Sequence, residues 1–150
     1  MSTARFASSI IAPGLIGVLL CLFVAACSSG SPPVEMTQSL PEHPLPACPG
    51  TPNCVRQTRL FDLPADTLFA RAQAALEALD PTSLTATAET RRLDAVFTVV
   101  LFKDDVALAV EPYEGRAALF VRSASRIGYS DLGVNKRRVK KFFAELEKRL

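Results

Sequence analysis

Asp94-Ala-Val-Phe-Thr-Val-Val-Leu-Phe-Lys-Asp-Asp-Val-Ala-Leu-Ala-Val-Glu111, followed after a turn by Ala117-Ala-Leu-Phe-Val-Arg-Ser-Ala124, decides the architecture. Its β-branched and aromatic density reads as strands. Asp94–Phe102 is apolar at both alternating sets of positions and reads as a strand buried on both faces. A Lys103-Asp104 turn leads to a strand over Asp105–Glu111, and Pro112-Tyr-Glu-Gly115 turns the chain into a strand over Ala117–Ala124. Connections this short join antiparallel neighbours. Upstream, Ser83–Thr90 alternates Leu84, Ala86 and Ala88 with polar residues, as a half-wet strand does, and Val55–Phe61 supplies a short first strand. Between them Pro64–Leu79 carries Leu68, Ala72, Ala75, Leu76 and Leu79 at helical spacing, with Pro64 suited to a first turn and Asp80-Pro81 as the stop. A last helix has Asn135 as N-cap, Val134 and Val139 as a hydrophobic staple, and an apolar face of Val139, Phe142, Phe143, Leu146 and Leu150. The expected order is β-α-β-β-β-β-α. It defines an α+β fold with a mainly antiparallel sheet of four to five strands and two helices packed on one face.

Everything before residue 48 reads differently. Arg5 precedes an apolar run from Ile10 to Ala26, as in an export signal. Val24-Ala-Ala-Cys27 resembles a bacterial lipobox, in which the cysteine thiol takes a diacylglycerol before cleavage. Residues 1–26 are thus expected to be a lipoprotein signal peptide. Cys27 and the Pro- and Ser-rich stretch to residue 47 form a lipidated tether, and residues 48–150 form the single domain. The address implied is the bacterial cell envelope, with the domain lipid-anchored and facing the periplasm. Ser28 after the cysteine resembles outer-membrane sorting more than inner-membrane retention. One partner is then the bilayer, through acylated Cys27.

Composition narrows the chemistry. The 150 residues carry 17 Lys+Arg, 15 Asp+Glu and one histidine, a net charge of +2 that gives no footprint for nucleic acid. With Cys21 in the signal and Cys27 lipidated, the domain keeps Cys48 and Cys54, six positions apart around Pro49-Gly50 and Pro52-Asn53. In an oxidising envelope that spacing suits a disulfide. Free thiols are the alternative, since a metal site would need more ligands than the nearby His43 and Met36 provide. No metal or other cofactor is expected. His43 falls in the tether, so a serine nucleophile would lack a placed base, and no catalytic residue is assigned.

Arg122-Ser-Ala-Ser-Arg-Ile-Gly-Tyr-Ser-Asp-Leu-Gly-Val-Asn135 joins the last strand to the last helix. Together with Cys48-Pro-Gly-Thr-Pro-Asn-Cys-Val55 and Phe102-Lys-Asp-Asp-Val106, it resembles bacterial family 1499 of the domains of unknown function, over about Leu45 to Leu150. The resemblance brings no activity. It implies that Cys48, Asn53, Cys54, Asp104, Asp105, Arg122, Ser123, Ser125, Arg126, Gly128, Ser130, Asp131, Gly133, Asn135 and Arg138 occupy motif positions. Tyr129 stands where many relatives are expected to carry a polar or basic residue. Physically, Arg122 and Arg126 share one face of an extended strand, roughly 13 Å apart, with Ser123 and Ser125 on the other. Two readings follow for Asp104, Asp105, Arg122, Ser123, Ser125, Arg126 and Asp131. They form ion pairs that fix the strand-to-helix crossing, or Arg122 or Arg126 with the serine hydroxyls forms a pocket for an anion or polar ligand.

From Val134 to Leu150 the chain carries seven basic and two acidic residues, a local +5, against a local −4 from Ser28 to Gly133. That helix face is either simply solvated or docks on anionic lipid headgroups or an acidic envelope protein. The function expected is a non-catalytic binding or assembly module; a small-ligand carrier or small enzyme using the Arg122–Asp131 segment is the alternative.

Overall fold

The computed structural model describes residues 40–150. The expected signal, the acceptor Cys27 and the first part of the tether lie outside the described residues. Seven elements run in the expected order: β1 (Cys54–Phe61), α1 (Ala65–Glu77), β2 (Ser83–Thr87), β3 (Arg92–Val99), β4 (Phe102–Tyr113), β5 (Arg116–Ser125) and α2 (Val134–Glu147). All neighbours in the five-stranded sheet are antiparallel, in the order β1-β5-β4-β3-β2. α1 therefore carries the chain from one edge of the sheet to the other. β2 to β5 then meander back until β5 pairs with β1.

Strand alternation divides the core. On one face Leu93, Leu108, Leu119 and Val121 pack beneath Leu68, Leu76, Phe142 and Leu146 of the two helices, all essentially free of solvent. Each such side chain contributes roughly 1.5–3 kcal/mol. The opposite face holds a smaller cluster of Ala109, Ala118 and Phe120, covered by Leu45. Residues 40–47, expected to be tether, thus belong to the domain, and residues 40–150 fall in one compact unit. Arg56 on β1 donates 2.8 Å hydrogen bonds to the carbonyls of both His43 and Leu45, while the His43 ring meets Phe120 edge-on. This strap covers a face that no helix reaches.

Three local expectations are corrected. The turn after β3 is Val100-Leu101, not Lys103-Asp104, because Val99 pairs with Phe102 and the ladder continues through Asp104 opposite Phe97. A turn at Asp104 would have put in solvent a carboxylate that the fold buries. β3 is buried on one face only, with Asp94 and Thr98 exposed between Leu93, Ala95 and Phe97. Finally, Asn135 is not the N-cap of α2. The cap is Gly133, whose left-handed φ of 78° turns the chain into the helix. The staple pairing disappears with that frame, since Val139 is in the core while Val134 lines a cleft.

Candidate functional site

β5 presents Ser123 and Ser125 toward α2, and β4 presents Asp104 beside Ser125. α2 lays Asn135 and Arg138, one turn apart, over them. Arg138 donates through Nη2 to Asp104 Oδ2 at 2.7 Å and through Nη1 to Asn135 Oδ1 at 2.7 Å and Ser123 Oγ at 3.3 Å, and its guanidinium lies over the Phe97 ring. Arg138 and Asp104 are only 9% and 3% exposed, so both charges have lost their water. Such a pair persists only where each charge keeps its partner.

Asn135 joins this ion pair to the loop above it. Its Oδ1 accepts from Ser123 Oγ at 2.5 Å, and its two amide protons share three acceptors: Asp131 Oδ2, Ser125 Oγ and the Asn53 carbonyl. Asn53 sits inside the Cys48–Cys54 disulfide loop and donates to the Gly128 carbonyl at 2.5 Å. Asp131 does the capping expected of Asn135, accepting from the backbone N–H groups of Gly133 and Asn135 at 2.9 and 2.6 Å. Burial alone would push the Asp131 carboxyl up. The N–H donors of Asn135 and Gly133 outweigh it and hold the group below the ordinary aspartate value.

The residues expected to act together are therefore separated. Asp104, Ser123, Ser125 and Asp131 join the buried network. Asp105 and Arg126 lie on the other face in a half-exposed, chelating pair at 2.8–3.1 Å, with the Arg126 guanidinium pushed up by its hydrogen bonds to Asp105. Arg122 shares the helix-free face and forms no ion pair among the described residues; its Nε is buried without a protein partner. The ion-pair expectation is realised for Arg126 with Asp105 and corrected for Arg122 and Asp131. The ligand pocket built on Arg122 or Arg126 is not assembled, since alternation turns both arginines away from the serines. Asn53, Asn135 and Arg138, which the spacing of charged residues did not single out, supply the joints of the network. Among the described residues no group of three His, Cys, Asp or Glu side chains is placed to hold a metal ion.

Over this network lies a half-open cleft of about 180 Å³. Its walls include Val99, Phe102, Ile127 and Val134, and its polar lining is Asp104, Ser125, Ser130 and Asp131. Of the eight large apolar side chains exposed on the described residues, six rim this cleft or project beside it: Val100, Leu101 and Phe102 from the β3–β4 turn, Ile127, Tyr129 and Leu132 from the β5–α2 loop. Neither set was legible as a surface feature in the sequence.

The domain is thus of a definite class: an antiparallel α+β sheet roofed on one side by two helices, with a buried ionic seam under the second and an apolar lip at its end. The chain belongs to the family described as "Protein of unknown function (DUF1499)", which matches residues 44–146. No curated protein matches it by sequence. Among solved structures it is similar to TTHA0849 from Thermus thermophilus, at 14% identity and a TM-score of 0.47, covering 64% of this chain and 95% of that one. It is also similar to Ara h 8.0201, at 12% identity and a TM-score of 0.46, covering 63% and 95%. Protein CV1439 from Chromobacterium violaceum, at 10% identity and a TM-score of 0.39, covers the same shares. Likeness at this level carries no argument about what the domain does.

Proposed function

We propose that this protein is a lipid-anchored component of the bacterial envelope, and that its domain is a non-catalytic binding module. The anchor rests on the sequence from Arg5 to Cys27. The binding role rests on one contrast. The polar groups that could do chemistry are engaged with one another: Asp104 with Arg138, Asp105 with Arg126, Asp131 with the start of α2. What remains free at that end is the apolar lip around the cleft, and exposed apolar groups gathered in one place mark interaction surfaces. A carrier or enzyme reading has less support. The cleft is smaller than the roughly 300–1,000 Å³ usual for small-molecule sites, and its charged lining is acidic, the wrong sign for an anion.

The test is site-specific photocrosslinking in living cells, with the photoreactive residue at Leu101 or, as a control, at exposed Glu111 on β4. Adducts to protein or to lipid at Leu101 and none at Glu111 are expected; equal crosslinking at both positions, or none of either kind at Leu101, would sink the binding-module reading. Labelling with a palmitate analogue checks the anchor separately, since lipid retained by a Cys27→Ser variant would remove it.

A further inference from the structure

We infer that the lip formed by the β3–β4 turn and the β5–α2 loop docks on an anionic phospholipid surface, with Leu101 and Leu132 entering the bilayer interface and the basic start of α2 facing the headgroup phosphates. This rests on the binding-module reading and names the partner of that surface.

Shape comes first. Val100, Leu101 and Leu132 are 85%, 87% and 85% exposed, on two adjacent turns that project from the end of the sheet. Two of these tips break the local rules of turns. Val100 has φ 59° and Leu132 φ 52°, left-handed positions that glycine or asparagine normally fill. A turn that places an exposed aliphatic side chain there sacrifices local stability to present it. Protruding tips fit a fluid interface, which needs no complementary shape, better than the roughly 800 Å² per partner of a standard protein interface. Tyr129, 72% exposed on the same loop, is the kind of ring that settles at the headgroup level.

Charge agrees with shape. Every carboxylate at this end is occupied by an arginine or by backbone N–H groups. The lysines are not: Lys103 beside the turn and Lys136 and Lys140 on the exposed side of α2 form no ion pair among the described residues. Arg137 donates to the Leu132 carbonyl and so places its own charge at the base of the tip. An apolar tip with unpaired cations at the adjoining strand start and along the first turns of α2 is complementary to an anionic leaflet.

Reach permits the contact. From Cys27 to Leu40 the chain has about 13 residues, and at about 3.5 Å each they extend to roughly 45 Å at most. An acylated Cys27 would hold the lip at high effective concentration beside the bilayer, so even weak insertion would be well populated.

The test uses residues 28–150, which contain the whole compact unit, secreted so that the disulfide forms. The chain has no tryptophan, so a single Leu101→Trp or Leu132→Trp reports only its own environment. Vesicles of phosphatidylglycerol and phosphatidylethanolamine are compared with phosphatidylcholine alone, at low and high salt. The expected result is a blue shift and doxyl-lipid quenching at both positions on anionic vesicles only. Partitioning should fall at least about 10-fold in Leu101→Asp/Leu132→Asp, whose melting temperature is unchanged. Unshifted emission at low salt overturns the inference, and so does binding that the aspartate variant keeps. If vesicles fail while crosslinking at Leu101 in cells traps a protein, the membrane inference falls and the binding-module reading stands. If both fail, both readings fall.

Discussion

Replacing Asp104 by alanine leaves the Arg138 guanidinium under α2 with its charge unpaired. Arg138 keeps Asn135 Oδ1 and Ser123 Oγ, but these are neutral acceptors and at 9% exposure water cannot replace the lost carboxylate. Breaking a buried pair from one side costs about 3–5 kcal/mol. A folded unit of about 110 residues loses about 4 °C of melting temperature per kcal/mol, so the variant should melt roughly 12–20 °C lower. Removing both charges is a different perturbation. Asp104→Leu with Arg138→Met takes two desolvation penalties away together and leaves Asn135 Oδ1 satisfied by Ser123, so the double variant should be more stable than Asp104→Ala. Urea unfolding of Asp104→Leu, Arg138→Met and the double variant, with unchanged m-values, gives the coupling directly. A loss under about 1 kcal/mol in Asp104→Ala, or strict additivity, would refute the claim that this pair is desolvated and mutually dependent.

The half-exposed Arg126–Asp105 pair should behave oppositely, with Arg126→Ala moving the urea midpoint far less than Asp104→Ala does. Cys48→Ser/Cys54→Ser should lose about 2 kcal/mol from the freed short loop, read as the shift in urea midpoint against the oxidised parent. The strap should be acid-sensitive. Burial first, and Arg56 second, depress the His43 imidazole, and its Nδ1 accepts a hydrogen bond from the Leu45 N–H that protonation would break. Because the folded value lies below the unfolded one, near 6.5, this stability is fully present above that pH and is lost as pH falls from there through the folded value. The protection factor of the Leu45 amide, its exchange rate taken against the intrinsic rate at each pH, should therefore fall below about pH 6.5 in the parent and not in His43→Gln.

The element order was legible because it rests on periodicity. Val55–Phe61, Pro64–Leu79 and the meander of β2 to β5 each carry a pattern that the sheet and helices obey to within a few residues. The β3–β4 turn was not, because Val99-Val-Leu-Phe102 contains none of the usual turn formers and its apolar character says strand. The same substitution of aliphatics for turn residues hid the lip. Alternation placed Arg122 and Ser123 on opposite faces correctly, yet it could not say which arginine Asp104 would meet. That partner, Arg138, comes from a helix 34 residues further on, and only the tertiary crossing brings it in. Asn53 was visible only as a motif position and Asn135 was read as a helix cap, since no local pattern distinguishes a buried asparagine from one in an ordinary turn or cap.

The disulfide loop also sets an order of events. Asn53 is held between Cys48 and Cys54, and from there it fixes Gly128 through its side chain and Ser125 and Asn135 through its carbonyl. In a reducing compartment that keystone is untethered, so the seam beneath α2 and the loop above it lack one of their supports. A chain that crosses a membrane before its cysteines oxidise would travel as a loosely closed precursor and tighten on arrival.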